Sequence, residues 1–233
     1  MTTLRQYGCP QKITFDRDPR FIGSWSADDF PSPLMRFLLC LDIKPEVCPP
    51  RRPDLNAFVE RFHKSYEEEA IQVYQPTTFE QVRDMNQDFR YHYNFQRPNQ
   101  ALTCGNRPPR QAFPDLPPLP PLPKMVDPSH WLDYLHGQTF KRRIDAAGTI
   151  RLDKDRYYIS RDRHKQTLLL QIEAPLRQLH VLVDGVVIKT MPIKGLTQQP
   201  LPFDDYVRLI QAEAVSQWRH YLQTARRYVR FVP

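Results

Sequence analysis

Residues 52–63 read RPDLNAFVERFH, and this stretch does most to decide the fold of the chain. Asp54 is a good N-cap, and the apolar residues after it recur at helical spacing, at Leu55, Phe58, Val59, Phe62 and Tyr66. The pattern predicts an amphipathic helix. Glu60 and Lys64 lie on one face of that helix, where an exposed ion pair between them would contribute about 0.3–0.5 kcal/mol.

Shorter elements are predicted on either side of this helix. Residues 12–16 are typical of a short strand that ends in an acid. A buried helix is predicted over residues 33–41, with Ser32 as N-cap, because proline suits its first turn. A further helix is predicted over residues 79–89 with Thr78 as its cap, and its inward residues are Val82, Met85 and Phe89.

Three segments carry a resemblance to a known family. They read CPQKITFDRDPRF at residues 9–21, RPDLNAFVERFH at residues 52–63 and YNFQRPNQAL at residues 93–102, and Pro108 follows. In this order they resemble the second half of the catalytic core of DDE integrases and transposases, the retroviral-integrase type found in many bacterial insertion sequences. The resemblance implies a partial RNase H-like α/β core, a mixed sheet flanked by helices, over residues 1–113.

The resemblance also implies roles for single residues. Asp16 matches the second catalytic aspartate and Glu60 the catalytic glutamate, so both are expected to bind Mg²⁺ or Mn²⁺ for phosphodiester hydrolysis and strand transfer. Lys64 matches a position that often carries a basic residue against DNA. The closing motif is expected to be structural, with Arg97 bonded to carbonyls at the end of the preceding helix; its members are Tyr93, Asn94, Arg97 and Pro98.

The chain departs from the family pattern in three places. No acid precedes Asp16, so we expect the strand with the first catalytic aspartate to be absent and the core to be N-terminally truncated. Asp16 and Glu60 are separated by 43 residues, which is a long gap. Arg17-Asp18-Pro19 replaces the usual glycine, and Asp18 is an alternative ligand only if the strand continues. Two carboxylates do not define a two-ion site, so little or no strand transfer is expected from this chain alone.

A proline-rich segment divides the chain. Residues 113–123 read FPDLPPLPPLP, which excludes a helix interior or a central strand because proline lacks the backbone donor. We interpret residues 114–124 as a semi-rigid spacer in the polyproline II conformation. The alternative is a ligand for an SH3-type domain.

Charge is distributed unevenly between the two sides of this linker. Residues 1–123 hold 15 Lys and Arg against 15 Asp and Glu, whereas residues 124–233 hold 18 against 11 and supply the whole net charge of +7. A basic surface of this kind favours a polyanion such as DNA. Nine basic residues fall between Lys141 and Lys165, and those predicted to contact DNA are Lys141, Arg142, Arg143, Arg151, Arg156, Arg161 and Arg163. A solvated strand face is the alternative.

The second half is predicted to form a small all-β domain followed by a helix. Six short strand-like runs lie between residues 139 and 191, and Asp184-Gly185 is typical of a type I′ hairpin turn. Their spacing predicts a β-barrel over residues 125–200, similar in position to the DNA-binding barrel of integrases. Residues 201–233 are predicted to form one long amphipathic helix, which packs on the barrel or pairs with a second protomer.

The favoured functional interpretation is a transposase or integrase that acts in DNA integration and transposition. Its expected partners are element-end and target DNA, and full-length transposase or a second copy of itself. The main alternative is a non-catalytic DNA-binding or regulatory remnant of a mobile element. Four cysteines without disulfide-like spacing suggest a reducing compartment, and no apolar run approaches the roughly 18 residues of a membrane helix. A cytoplasmic, nucleoid-associated location is therefore expected.

Overall fold

The computed structural model describes residues 2–16, 18–22, 30–49, 57–197 and 199–229. These residues form two compact units, one made of Met1–Val47 with Pro120–Pro233 and the other of Cys48–Leu119. The predicted cap at Asp54 lies outside the described residues.

The N-terminal part of the first unit contains a small parallel sheet. Its elements are α1 (Thr2–Tyr7), β1 (Lys12–Phe15), α2 (Pro19–Ile22), α3 (Pro33–Leu39) and β2 (Lys44–Val47). β1 and β2 pair in parallel from Lys12 opposite Lys44 to Phe15 opposite Val47. The predicted cap of α3 is confirmed, since the Ser32 hydroxyl accepts the Met35 N–H at 3.1 Å and Pro33 opens the helix.

The second unit is helical. It contains α4 (Ala57–Tyr66), a π-helical turn (Glu67–Ile71), α5 (Gln72–Tyr74), α6 (Phe79–Tyr91), a second π-helical turn (His92–Gln96) and α7 (Pro109–Ala112). The cap at Thr78 is confirmed and forms a capping box with Gln81. Met85 and Phe89 are buried with Ala70 and Val82 is half-buried, whereas Phe58 at the start of α4 is 86% exposed.

The remainder of the first unit is mainly antiparallel sheet. In chain order it contains β3 (Met125–Val126), a 3₁₀ turn (His130–Leu135), β4 (Thr139–Arg143), β5 (Thr149–Leu152), β6 (Asp155–Tyr158), β7 (Thr167–Glu173), β8 (Gln178–Val183), β9 (Val186–Pro192), β10 (Leu201–Pro202) and α8 (Phe203–Val229). The six predicted strands are confirmed as β4 to β9. Asp184 and Gly185 both have positive φ, 49° and 80°, as a type I′ turn requires.

The described strands form no closed barrel. Four of them are hydrogen-bonded in the order β4-β7-β8-β9, whereas β5 pairs with β6 in a separate hairpin and β10 pairs with β3. Because the chain between β4 and β7 leaves the sheet to form that hairpin, β4 and β9 remain as the sheet edges in the described structure.

One hydrophobic core joins the two parts of the first unit. Phe37 and Ile43 from the N-terminal part belong to the same buried cluster as Leu170 of the sheet and Tyr206 of α8. The rings of Phe37 and Tyr206 stack with centroids 5.9 Å apart. The described residues between 2 and 47 therefore share a core with the β-rich part, although the sequence analysis grouped them with residues 48–113. The functional domain division remains a prediction.

The long C-terminal helix is present as expected over Phe203–Val229. Its first turns are buried against the core of the first unit through Phe203, Tyr206 and Val207, while residues 214–219 are exposed. None of the described helices is long and apolar enough to cross a membrane.

Candidate functional site

Asp16 lies directly after β1, at the carboxyl end of the parallel pair. It is exposed, and its Oδ1 accepts the backbone N–H of Asp18 at 3.0 Å. The Asp18 carbonyl in turn accepts the N–H groups of Phe21 and Ile22 at 2.8 and 3.2 Å, which starts α2. The strand has therefore ended before Asp18, so Asp18 does not occupy the strand position that its alternative role as a ligand required.

Glu46 is an acid on the strand that pairs with β1, and the sequence patterns did not indicate it as a candidate. It lies on β2, opposite Thr14, and accepts hydrogen bonds from Lys12 Nζ and Thr14 Oγ1, both at 3.0 Å. These hydrogen bonds from Lys12 and Thr14 lower the pKa of Glu46 below its ordinary value. Only the parallel register shows that Glu46 lies beside β1, since 29 residues of sequence separate it from Asp16.

Glu60 lies on α4 and its side chain is exposed. The ion pair expected with Lys64 is not formed: Lys64 Nζ lies 3.8 Å from Oε1 of Glu68, one turn further along. Within the described part of the chain, Glu60 makes no hydrogen bond and no ion pair. Its carboxylate is therefore not committed to a structural contact there.

The carboxylates do not complete a metal centre in the described part of the chain. Asp16 belongs to the first unit and Glu60 to the second. No group of three or more His, Cys, Asp or Glu side chains suited to a metal ion occurs among the described residues. Because a two-ion phosphoryl-transfer site needs carboxylates that bridge and flank both ions, the described residues do not fit such a site by themselves.

Arg97 makes a contact different from the one expected. Its Nε lies 2.8 Å from both Oε1 and Oε2 of Glu69, and its guanidinium lies 5.7 Å from the Tyr93 ring centroid. The nearest carbonyl contact, to Pro98, is a long 3.4 Å. The arginine therefore joins the two π-helical turns through a carboxylate rather than through helix-end carbonyls.

The predicted DNA-contact residues differ in accessibility. Arg142 is only 9% exposed, while Arg163 is half-buried and donates to Gln166 at 3.2 Å. The remaining members are exposed: Lys64, Lys141, Arg143, Arg151, Arg156 and Arg161. Burial of Arg142 favours a structural role for its guanidinium, because a phosphate cannot reach a charge inside the protein without displacing its partners.

Two of these arginines form a pair on the β5–β6 hairpin. Arg151 and Arg156 are directly opposite each other in the antiparallel register, and both side chains are exposed. Like charges in this position destabilise a hairpin. An anion between them would relieve the repulsion, which makes the pair a candidate phosphate contact.

A titratable cluster lies elsewhere in the first unit. His130 Nδ1 lies 2.9 Å from Asp133 Oδ2, its Nε2 lies 2.9 Å from Asp42 Oδ1, and Tyr134 donates to the same Asp42 oxygen at 2.6 Å. Desolvation lowers the pKa of His130, but its hydrogen bonds to the carboxylates of Asp42 and Asp133 outweigh this effect and raise the pKa. The hydrogen bond to Asp42 raises the pKa of Tyr134 to about 12.

Comparisons with known proteins show a similarity over part of the chain. Residues 41–109 match the model of the integrase core domain. A protein of Xanthomonas euvesicatoria, the insertion element IS476 uncharacterized 39.2 kDa protein, is 37% identical over 62 residues. Both matches support the resemblance of this part of the chain to the DDE integrase or transposase core of an insertion sequence.

The matches cover limited parts of both chains. The aligned segment spans 27% of this chain and 17% of the Xanthomonas relative. The integrase core domain implies an RNase H-like fold, and its family generally uses divalent metal ions. The fold prediction is therefore confirmed only in part, because the described strands do not form the predicted barrel. The assignments of Asp16, Glu60 and the individual basic residues stay predictions.

Proposed function

We propose that this chain takes part in DNA transposition as a component of an insertion-sequence transposase, and that it contacts DNA through residues 124–233. The observation that carries the proposal is an integrase core match over residues 41–109 in a chain whose whole net charge of +7 lies after residue 123. Element-end and target DNA are its proposed partners, and full-length transposase or a second copy its proposed protein partners. Such partners imply work in the cytoplasm, at the nucleoid.

The basic hairpin supports DNA contact. Arg151 and Arg156 are opposed and exposed, and the sheet strand β4 adds the exposed Lys141 and Arg143. Positive side chains at such positions neutralise phosphates and release counterions, which gives affinity without base recognition.

DNA binding is tested by fluorescence anisotropy with a labelled duplex from the DNA that flanks the coding sequence and a random duplex of the same length. We expect affinity to fall steeply as salt rises. The double variant Arg151→Gln/Arg156→Gln should reduce the slope of log affinity against log salt by about 2. Arg83→Gln, an exposed change in the neutral second unit, is the matched control. Binding that does not respond to salt would contradict the proposal.

Catalysis is a separate part of the proposal. We propose that Asp16 and Glu60 are inherited metal-ligand positions, that Mg²⁺ or Mn²⁺ would be the ion, and that this chain alone has little or no strand-transfer activity. Incubation of flanking-end DNA with either ion should give no nicking above background. Nicking that disappears in Glu60→Gln but persists in Glu80→Gln, an exposed acid of α6, would show instead that the chain is active by itself.

The non-catalytic alternative also has a specific observation in its favour. The carboxylate of Asp16 accepts a backbone N–H in the turn before α2, which is the role of a structural turn acid. A remnant that binds DNA without cleaving it would show salt-dependent binding and no nicking. Mixed with an active full-length transposase of the same element, it would reduce transposition in proportion to its amount.

A further inference from the structure

Three cationic side chains from outside the β5–β6 hairpin donate hydrogen bonds to its backbone carbonyls. They are Arg142 Nε to the carbonyl of Arg151 at 3.1 Å, Lys194 Nζ to that of Arg156 at 2.6 Å and Lys189 Nζ to that of Tyr158 at 2.8 Å. Two of the three carbonyls belong to the opposed arginines. Each exposed arginine of the pair is therefore bonded through its own backbone to a second cation.

Arg142 is held firmly in this position. Besides its bond to the hairpin, its Nη1 donates to the Lys141 carbonyl at 2.7 Å, and its guanidinium lies 5.8 Å from the Phe140 ring centroid. A buried charge is costly unless such partners compensate it. Because β4 and the hairpin belong to different sheets, the Arg142 side chain is a direct link between them.

Lys194 makes a comparable link from the loop after β9. Its Nζ lies 5.0 Å from the Tyr157 ring centroid, and its backbone N–H donates to the Tyr157 hydroxyl at 2.9 Å. The Tyr157 ring is 3% exposed, so the lysine is bonded to the inner side of the hairpin. The Arg156 carbonyl and the Tyr157 side chain are thus both bonded to one residue.

The hairpin needs such support for a physical reason. A two-stranded hairpin is marginally stable in water, and opposed like charges reduce its stability further. The inward residues Ile150, Leu152 and Tyr157 bury its apolar side. The hydrogen bonds to the carbonyls of Arg151 and Arg156 hold the backbone at these two residues. The direction of each arginine side chain depends on that backbone.

We propose that Arg142 and Lys194 are positioning residues that hold Arg151 and Arg156 in place to contact a DNA phosphate. The inference rests on the proposed DNA contact and deepens it. It divides the basic residues into those that touch DNA and those that hold the DNA-contacting residues in position. Arg142, which the sequence grouped with the contacts, belongs to the second kind.

A double-mutant cycle on the full chain tests the proposal. Arg142→Met and Arg151→Gln are measured singly and together against the flanking duplex, with Arg143→Met, the exposed neighbour of Arg142, as the matched contact variant. We expect Arg142→Met to weaken binding about 3–10-fold and to lower the salt slope by about 1. Arg151→Gln should then have little further effect in the Arg142→Met background but its full effect with Arg143→Met.

Conservative replacement separates positioning from simple loss of stability. Arg142→Lys keeps a donor and should restore part of the DNA affinity that Arg142→Met loses. In a second cycle, Lys194→Met and Arg156→Gln should also have non-additive effects on DNA affinity. Unchanged affinity and salt slope in Arg142→Met, or effects that simply add, would overturn the proposal. Amide hydrogen exchange over residues 150–158 gives a readout that does not require DNA. We expect this exchange to be faster in Arg142→Met than in Arg143→Met. Failure of the wild type to bind DNA, with that exchange difference intact, would refute the proposed function and leave only the anchoring.

Discussion

The guanidinium of Arg36 lies 2.8 Å from Oδ2 of Asp153, and this pair joins α3 to the turn between β5 and β6. The arginine is 7% exposed and lies 4.7 Å from the Trp131 ring centroid. Its Nη1 is also 3.7 Å from Oε2 of Glu213 on α8. Three segments distant in sequence therefore meet at one buried charge.

Removing this charge should destabilise the first unit strongly. Arg36→Met leaves Asp153 and Glu213 without their buried partner, and breaking such a pair costs about 3 kcal/mol or more. Thermal unfolding followed by circular dichroism measures the effect. Arg208→Met is the control, since its pair with Asp205 is exposed and should contribute less than about 1 kcal/mol. Equal losses of unfolding free energy in Arg36→Met and Arg208→Met would contradict the central role of Arg36.

The His130 cluster should make stability depend on pH in two directions. Since the pKa of His130 is raised above 6.5, its contribution is present below pH 6.5 and is lost as pH rises through the folded pKa. The pKa of Asp42 is lowered below 3.8 through its hydrogen bonds to Tyr134 and His130, so its contribution is present above pH 3.8 and is lost as pH falls through the folded pKa. The link between Asp42 and His130 should be strongest between about pH 4 and 6.5.

Urea unfolding of the wild type and His130→Gln across this range measures the effect. The difference in unfolding free energy between the two proteins should shrink as pH rises above the His130 pKa. His180→Gln, a change in β8 outside the cluster, should leave the pH dependence of the unfolding free energy in this range as in the wild type. A difference that stays constant from pH 5 to 9 would refute a charged His130 in the link.

Gly148 and Gly137 form a matched pair for a backbone prediction. Both have positive φ, 78° and 75°, but a Cβ at Gly148 would lie 2.6 Å from the Arg161 nitrogen whereas one at Gly137 would meet nothing within 4 Å. Gly137→Ala should therefore cost about 1 kcal/mol from backbone strain alone. Gly148→Ala should cost about 3 kcal/mol, because the segment at Ser160 and Arg161 that follows β6 must also move. Melting temperatures of the two variants compare the costs directly, and similar values would show that the approach to Arg161 is not tight.

The Arg97–Glu69 contact should stabilise the second unit modestly. Arg97→Met removes a charge-assisted hydrogen bond from a partly exposed site and should cost about 1 kcal/mol of unfolding free energy. Amide exchange in α6 is the suitable measurement, because it reports on this unit alone. Arg83→Met is the control, as its pair with Asp84 is long, 3.8 Å, and exposed. Equal exchange in the two variants would argue against a stabilising Arg97–Glu69 pair.

Local features of the fold were predictable from the sequence. Ser32 and Thr78 were expected as helix caps and act as such, since a cap depends on residues within one turn. The Asp184-Gly185 turn and the strands β4 to β9 were expected from alternation and turn chemistry. These features depend on contacts between near neighbours in the chain.

Partners distant in the sequence were predicted less well. Arg97 pairs with Glu69, a residue from another helix. This contact reflects packing geometry, which periodicity does not contain. For the same reason Glu46 was not recognised as a neighbour of the strand that ends at Asp16.

Local sequence patterns were enough to predict the capped helices, the strands β4 to β9, the charge division at the proline-rich segment and the likeness to an integrase core. Only the folded chain shows that the described residues between 2 and 47 share a core with the β-rich part, that the β5–β6 hairpin leaves the sheet, and that Arg142 is buried and bonded to this hairpin. The physical reason is that helices and turns depend on neighbouring residues. Burial and long-range pairing depend instead on which surfaces remain to be covered once those elements have formed.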